Sequence, residues 1–181
     1  PITVDAARAI WLDADTLAWG GAAGASYRLL YDPDGGMTSE AEAATCAFPD
    51  PVGPCFVALK ADGAASGYPK NPNATGMTRL TARLAAKDAK SLLRGQVVVA
   101  SYDGGGQRVD ATRSQIQGVL DDLYAAAVTP QELGVSYTEA APGVTVWAPT
   151  ARSVTLKRYA TSDGAEVGSY PMTLYPAAGT W

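Results

Sequence analysis

Apolar and polar residues alternate along most of this chain, and the alternation predicts strands. Ile10-Trp11-Leu12 and Leu17-Ala18-Trp19 flank the polar segment Asp13-Ala14-Asp15-Thr16, the pattern of a β-hairpin. With Leu12 opposite Leu17, Ile10 falls opposite Trp19. These four side chains then share one face, and Trp11 lies on the other beside Ala18. Trp19 is a core residue in this reading. For Trp11 an inter-domain contact, a second core layer and a sugar-stacking platform all stay open. Further strand patterns occur at Tyr27-Arg28-Leu29-Leu30-Tyr31, at Phe56-Val57-Ala58-Leu59-Lys60, and where Leu80, Ala82 and Leu84 alternate with Arg79, Thr81 and Arg83. The clearest is Gln96-Val97-Val98-Val99-Ala100-Ser101-Tyr102. It is apolar at both parities, which predicts a central strand covered on both sides. Val98 shares a face with Ala100 and Tyr102, and Val97 with Val99 and Ser101. Asp103-Gly104-Gly105-Gly106 turns the chain back into Arg108-Val109-Asp110.

Helical spacing is confined to short stretches. Glu40–Ala44 predicts a single turn. Asp88 is expected to cap a helix over Ala89–Arg94, with Gly95 after it and a buried stripe of Ala89, Leu92 and Leu93. Gly118-Val119-Leu120-Asp121-Asp122-Leu123-Tyr124 predicts another helix that turns Leu120 inward. Thr129-Pro130-Gln131-Glu132 carries helix-start residues. Segments 37–54 and 62–76 read as surface excursions. Strand patterns return at Val144–Trp147, Val154–Tyr159 and Gly168–Leu174. Strands dominate, helices are short and no strand–long helix unit repeats. The expected class is therefore mainly β: immunoglobulin-like antiparallel β-sandwich units with short helices. Two units are expected, 1–139 and 140–181, with the boundary near Glu139–Gly143. Only 30 residues follow Ala151, so the second unit is expected to be truncated.

Composition narrows the chemistry. Of 181 residues 47% are hydrophobic, yet no run approaches the roughly 18 apolar residues of a membrane span. Pro1-Ile2-Thr3-Val4-Asp5 has no signal-peptide pattern, and a mature protein after signal removal reads the same. The net charge is −4, and the densest basic group, Lys87, Lys90 and Arg94, reads as solvated helix positions. No nucleic-acid partner is expected. The chain has no histidine, which removes Ser-His-Asp and Cys-His nucleophiles and imidazole metal sites. Glycosidase chemistry stays open, since it needs only two carboxylates. The Asp-rich turn Asp32-Pro33-Asp34-Gly35-Gly36 lacks calcium-loop spacing, so no metal or other cofactor is expected in this segment. Asn73-Ala74-Thr75 fits a glycosylation acceptor, usable only in a glycosylating secretory route. Cys46 and Cys55 are the only cysteines, separated by a Pro- and Gly-rich segment that folds back easily. Two readings stay open for them, a disulfide or two separate thiols in a reducing compartment.

Two blocks resemble one family. Leu93-Arg94-Gly95-Gln96-Val97-Val98-Val99-Ala100-Ser101-Tyr102-Asp103, followed by Gln115-Ile116-Gln117-Gly118-Val119-Leu120-Asp121-Asp122-Leu123-Tyr124, is similar to the β-rich N-terminal domain of type I pullulanases and limit dextrinases. Val144-Thr145-Val146-Trp147-Ala148-Pro149-Thr150-Ala151, with Val154-Thr155-Leu156 after it, resembles the opening of a family-48 carbohydrate-binding module. The resemblance implies a parent enzyme that hydrolyses α-1,6-glucosidic linkages in pullulan, amylopectin and limit dextrins with retention. Its catalytic carboxylates belong to a downstream barrel, and calcium is a candidate cofactor only there. No catalytic residue is therefore assigned in this chain. Asp121 and Asp122 are adjacent on a helix and point about 100° apart, poor geometry for flanking a bond at about 5–5.5 Å. They are read as solvated or helix-end groups, with Asp121 a candidate acceptor for backbone N–H groups. Trp19, Val98, Leu120, Trp147 and Pro149 are read as structural. The implied partners are the rest of the same enzyme and, through it, branched α-glucan. The implied location is secreted or cell-surface bacterial, with an algal or plant plastid as the alternative. A stand-alone glucan-binding module and a protein–protein adaptor are the competing readings.

Overall fold

The computed structural model describes Val4 and residues 6–128, 133–137 and 141–181, which form two compact units, 1–123 and 124–181. The described residues of the first unit form seven strands: β1 (Ala9–Asp13), β2 (Thr16–Trp19), β3 (Ser26–Asp32), β4 (Cys55–Ala64), β5 (Thr78–Thr81), β6 (Gln96–Tyr102) and β7 (Arg108–Gln115). Their order is β1-β2-β5-β4-β3-β6-β7, and the last strand returns to the first. Closure is made by parallel pairing of Ala9 with Ser114 and Ile10 with Gln115, while the other pairs are antiparallel. The first unit is thus a closed barrel and not the open immunoglobulin-like sandwich that the pattern predicts. The same alternation suits a sandwich sheet and a barrel wall. The difference lies in backbone hydrogen bonds between strands about a hundred residues apart, which leave no side-chain signature.

One face of the strands supplies the main core: Trp11, Leu17, Trp19, Leu29, Leu80 and Val99 are all at or near zero exposure. Two helices complete it. These are α1 (Ala86–Leu92), through Ala89 and Leu92, and the start of α2 (Gln117–Val128), through Val119. The outer face of the wall is also covered. Leu30, Val98, Ala100 and Tyr102 pack with Met37 and Ala41, while Ile10, Leu12 and Ala18 pack with Ala65 and Ala74. The excursions expected to lie on the surface therefore act as an outer layer over the barrel.

The β6 reading agrees with the structure in extent, two-sided burial and face assignment. The first hairpin does not. Ala9 pairs with Trp19, Ile10 with Ala18 and Trp11 with Leu17, and a β-bulge separates Trp11 from Asp13. The bulge inserts one residue, so the register moves by one and every side chain before it changes face. Trp11 joins Trp19 in the main core, and Ile10 and Leu12 turn outward. The helix around residue 88 also starts sooner than expected. Ala85 is its N-cap without a side-chain hydrogen bond, and Asp88 lies in its first turn, where a carboxylate suits the helix dipole. The strand around Leu80 ends at Thr81, and Arg83 takes a left-handed φ of 53° that breaks the alternation. The single turn expected over Glu40–Ala44 is a 3-10 turn at Ser39–Glu42.

The described residues of the second unit form two two-stranded antiparallel sheets, β8 (Gly134–Tyr137) with β9 (Pro142–Thr145) and β10 (Thr155–Tyr159) with β11 (Glu166–Pro171). The expected strand Val144–Trp147 is divided. Its first half pairs with β8, while Val146 and Trp147 pair with Trp181 and Thr180. The helix start expected at Thr129–Glu132 lies outside the described residues, as do 139 and 140 of the expected boundary.

Candidate functional site

The first turn of α2 presses directly on β1. A Cβ at Gly118 would meet the carbonyl oxygens of Trp11 and Leu12 at 2.8 and 2.9 Å, so only glycine permits this approach. The docking carries two carboxylates to the β1–β2 turn. Asp122 Oδ2 accepts the Ala14 N–H at 3.0 Å, and Asp121 Oδ2 accepts from Lys70 Nζ at 3.2 Å. It is Asp122, rather than the Asp121 expected, that receives a backbone donor. Lys70 sits in the turn Gly67–Asn71, where the Asn71 N–H donates to the Tyr68 carbonyl at 2.9 Å. Gly67 has a φ of 82°, which favours glycine at that bend. The Tyr68 side chain packs on the outer cluster of Ile10, Leu12 and Ala18.

These segments enclose an open cleft of about 330 Å³ whose wall includes Leu12, Asp13, Tyr68, Pro69, Asn71 and Asp121. Burial raises the Asp13 carboxyl above the usual carboxylate range. The cleft therefore combines an aromatic ring, two apolar surfaces, a carboxamide, an ammonium and three carboxylates. That combination suits a polar, uncharged ligand with one apolar face. Tyr68, Lys70, Asn71 and Asp13 are not legible as a site in the sequence. The one available signal is an aromatic residue set within a Gly- and Pro-containing loop.

A second cleft of about 290 Å³ lies at Glu42, Tyr102 and Arg108. Tyr102 Oη and Arg108 Nη1 both donate to Glu42 Oε1, at 2.7 and 2.8 Å. The Arg28 guanidinium lies over Phe56 and Tyr102, 4.2 and 4.6 Å from the ring centroids. Burial, reinforced by the bond to Glu42, pushes the Tyr102 phenol far above its ordinary value. These polar groups satisfy one another, so the arrangement fastens the Ser39–Glu42 turn to the wall.

The remaining residues singled out in the sequence line neither cleft. Trp19 is buried, donates Nε1–H to the Ala22 carbonyl at 3.0 Å and meets Tyr27 edge-on. Val98 is fully buried, and Leu120 is half-buried against the main core. Cys46 and Cys55 are joined as a disulfide. In the second unit Trp147 is 39% exposed, donates Nε1–H to the Ala178 carbonyl and meets Tyr124 edge-on at 6.5 Å. Pro149 is buried beside Gly179, whose φ is 69°. Trp181 donates Nε1–H to the Ala148 carbonyl at 2.9 Å, so the Trp147–Pro149 segment is held from both sides.

Comparison with known proteins adds a family and a scale. The family model described as the Pullulanase N2 domain matches residues 6–122. A pullulanase of Klebsiella pneumoniae is 38% identical over 90 residues, which cover 50% of this chain and 8% of that protein. Pullulanase 1, chloroplastic, of Arabidopsis thaliana is 30% identical over 97 residues, covering 52% of this chain and 9% of the relative. The maltotriose complex of PulA from Klebsiella pneumoniae has the same fold at a TM-score of 0.77 and 30% identity, over 99% of this chain and 18% of that one. PulA from Klebsiella oxytoca gives a TM-score of 0.76 at 28% identity, over 98% of this chain and 16% of that one. The chain thus spans under a tenth of these two curated relatives and under a fifth of these two solved chains.

Proposed function

This chain belongs to the Pullulanase N2 domain family, and from that premise we propose that it is the non-catalytic N-terminal part of a starch-debranching glycoside hydrolase. The parent enzyme hydrolyses α-1,6-glucosidic linkages in pullulan, amylopectin and limit dextrins, with retention, in a barrel downstream of this chain. The observation that carries the reading is the match to PulA solved with maltotriose, which covers nearly all of this chain and less than a fifth of the relative. Residues 1–139 are assigned to the N-terminal β-rich domain and residues 140–181 to the opening strands of a family-48 carbohydrate-binding module. The Trp147-Ala148-Pro149-Thr150 segment supports the second assignment.

The contribution of the chain is mechanical. A closed barrel with a covered outer wall is a stiff body, suited to holding neighbouring parts of the enzyme in register. Small displacements of catalytic groups cost about 100-fold in rate, so a flanking body can matter without touching substrate. The partners are the rest of the enzyme and, through it, branched α-glucan. The Cys46–Cys55 disulfide supports an oxidising compartment, hence bacterial export over a plastid.

The test compares three proteins on pullulan: residues 1–181, the full-length encoded protein, and the full-length protein lacking 1–181. The first is expected to release no reducing ends, the second to hydrolyse, and the third to lose activity or stability. Hydrolysis by purified residues 1–181 in proportion to their concentration would overturn the reading. A full-length protein inert on pullulan would do the same.

A further inference from the structure

The cleft between β1 and the first turn of α2 has no part in the mechanical role just proposed, yet its lining is specific in character. Tyr68 leans on the apolar patch of Ile10, Leu12 and Ala18 while forming part of the cleft wall. Neither its hydroxyl nor the Asn71 carboxamide has a hydrogen-bond partner among the described residues. Asp121 and Asp122 each commit one oxygen, to Lys70 and to the Ala14 amide, and keep the other open.

The lining selects among ligand classes. Three carboxylates, Asp13, Asp121 and Asp122, stand against one ammonium, Lys70, so the field disfavours phosphate and other anions. Among the described residues no group of three His, Cys, Asp or Glu side chains is placed to hold a metal ion, which disfavours a bound metal. The lining matches a neutral ligand rich in hydroxyl donors, for the open carboxylate oxygens, and in oxygen acceptors, for Lys70 and Asn71. It must also carry a C–H face for Tyr68 and Leu12. A pyranose ring has these features. The volume, about 330 Å³, lies at the small end of ligand pockets, roughly 300–1,000 Å³, and suits the end of a short chain rather than a long helix of sugar.

We infer that this cleft binds the end of a short α-glucan, with Tyr68 as the stacking face and Asn71, Lys70 and Asp121 as hydrogen-bonding groups. The pyranose class follows from the lining, and its identity as α-glucan rests on the debranching reading above. Such a site adds a weak anchor for branched substrate on the first unit.

The experiment titrates residues 1–181 with maltotriose and follows backbone amides by NMR, with inorganic phosphate as the charged control. Saturable shifts confined to residues 12–13, 67–71 and 118–122, with a millimolar Kd, are expected. Tyr68→Ala should weaken binding about tenfold and Asp121→Ala by about threefold to tenfold, while Tyr68→Phe should stay close to the parent. The amide spectrum itself reports whether each variant is folded. Asp121 is exposed, so its variant tests the site even where Tyr68→Ala disturbs packing. The inference is overturned by silence up to the solubility limit of maltotriose, by shifts centred elsewhere such as on Trp147, by a response to phosphate in place of sugar, or by unchanged affinity in the folded Tyr68→Ala and Asp121→Ala variants. Pullulan hydrolysis by the full-length protein separates the two readings. An active enzyme with a silent cleft sinks only the cleft. An inactive enzyme sinks the debranching reading and leaves maltotriose binding to decide the site.

Discussion

Asp110 ties three distant segments together through one carboxylate. Its oxygens accept Arg8 Nη1 and Nη2 at 2.8 and 2.6 Å, the Ala22 N–H at 2.8 Å and the Ala111 N–H at 2.8 Å. The bonds to Arg8 hold its carboxyl below the usual carboxylate range. The folded state therefore binds its proton less readily than the unfolded chain, whose value is about 3.9. The resulting stability is present above that pH and is lost as pH falls through the lower folded value. Asp110→Asn should cost about 1–2 kcal/mol near neutrality, the low side for charge-assisted bonds because Arg8 is partly open to solvent. Urea unfolding at neutral and acid pH checks this. The gap between parent and variant should narrow below about pH 4, and a gap independent of pH would contradict the linkage.

At the scale of elements, α2 is placed by the absence of a side chain. Gly118 is buried against the backbone of Trp11 and Leu12, and backbone cannot give way as a flexible side chain can. Gly118→Ala should therefore lift the first turn of α2 and destabilise the first unit by about 1–3 kcal/mol, the range for overpacking. The Asp122–Ala14 bond should weaken with it. Gly53, where an added Cβ meets nothing within 4 Å, is the control; Gly53→Ala should stay within about 0.5 kcal/mol. Thermal denaturation of the two variants measures the contrast, and equal melting temperatures would show that α2 does not depend on this contact.

For the molecule as a whole, the two units differ in how their strands are supported. In the first, β6 lies between β3 and β7 and is covered on both faces. In the second, β10 and β11 form a two-stranded ribbon with nearly every residue exposed. Two strands are marginal alone, because they bury too little to offset the entropy of ordering them. Hydrogen exchange should find β3 and β6 amides opening only near the global unfolding free energy, and those of β10 and β11 opening far more readily. Equal protection across both sets would refute this.

Strand content was legible wherever side-chain parity carried it, as in β6, whose two apolar faces are written in Val97, Val98, Val99 and Ala100. The position of α1 was legible to within a turn, since the stripe of Ala89, Leu92 and Leu93 depends on spacing and not on the cap. The family was legible in short blocks that a pattern can hold. Barrel closure, the bulge after Trp11 and the covering of the outer wall by Met37, Ala41, Ala65 and Ala74 were not. Neither was the cleft, whose walls come from residues 12–13, 67–71 and 118–122. Local sequence specifies which side chains prefer to be buried, because that preference belongs to each residue and its neighbours. Which backbone edges meet, and which loops close over which face, depends on hydrogen bonds and packing between residues far apart in the chain, and only the tertiary structure decides them.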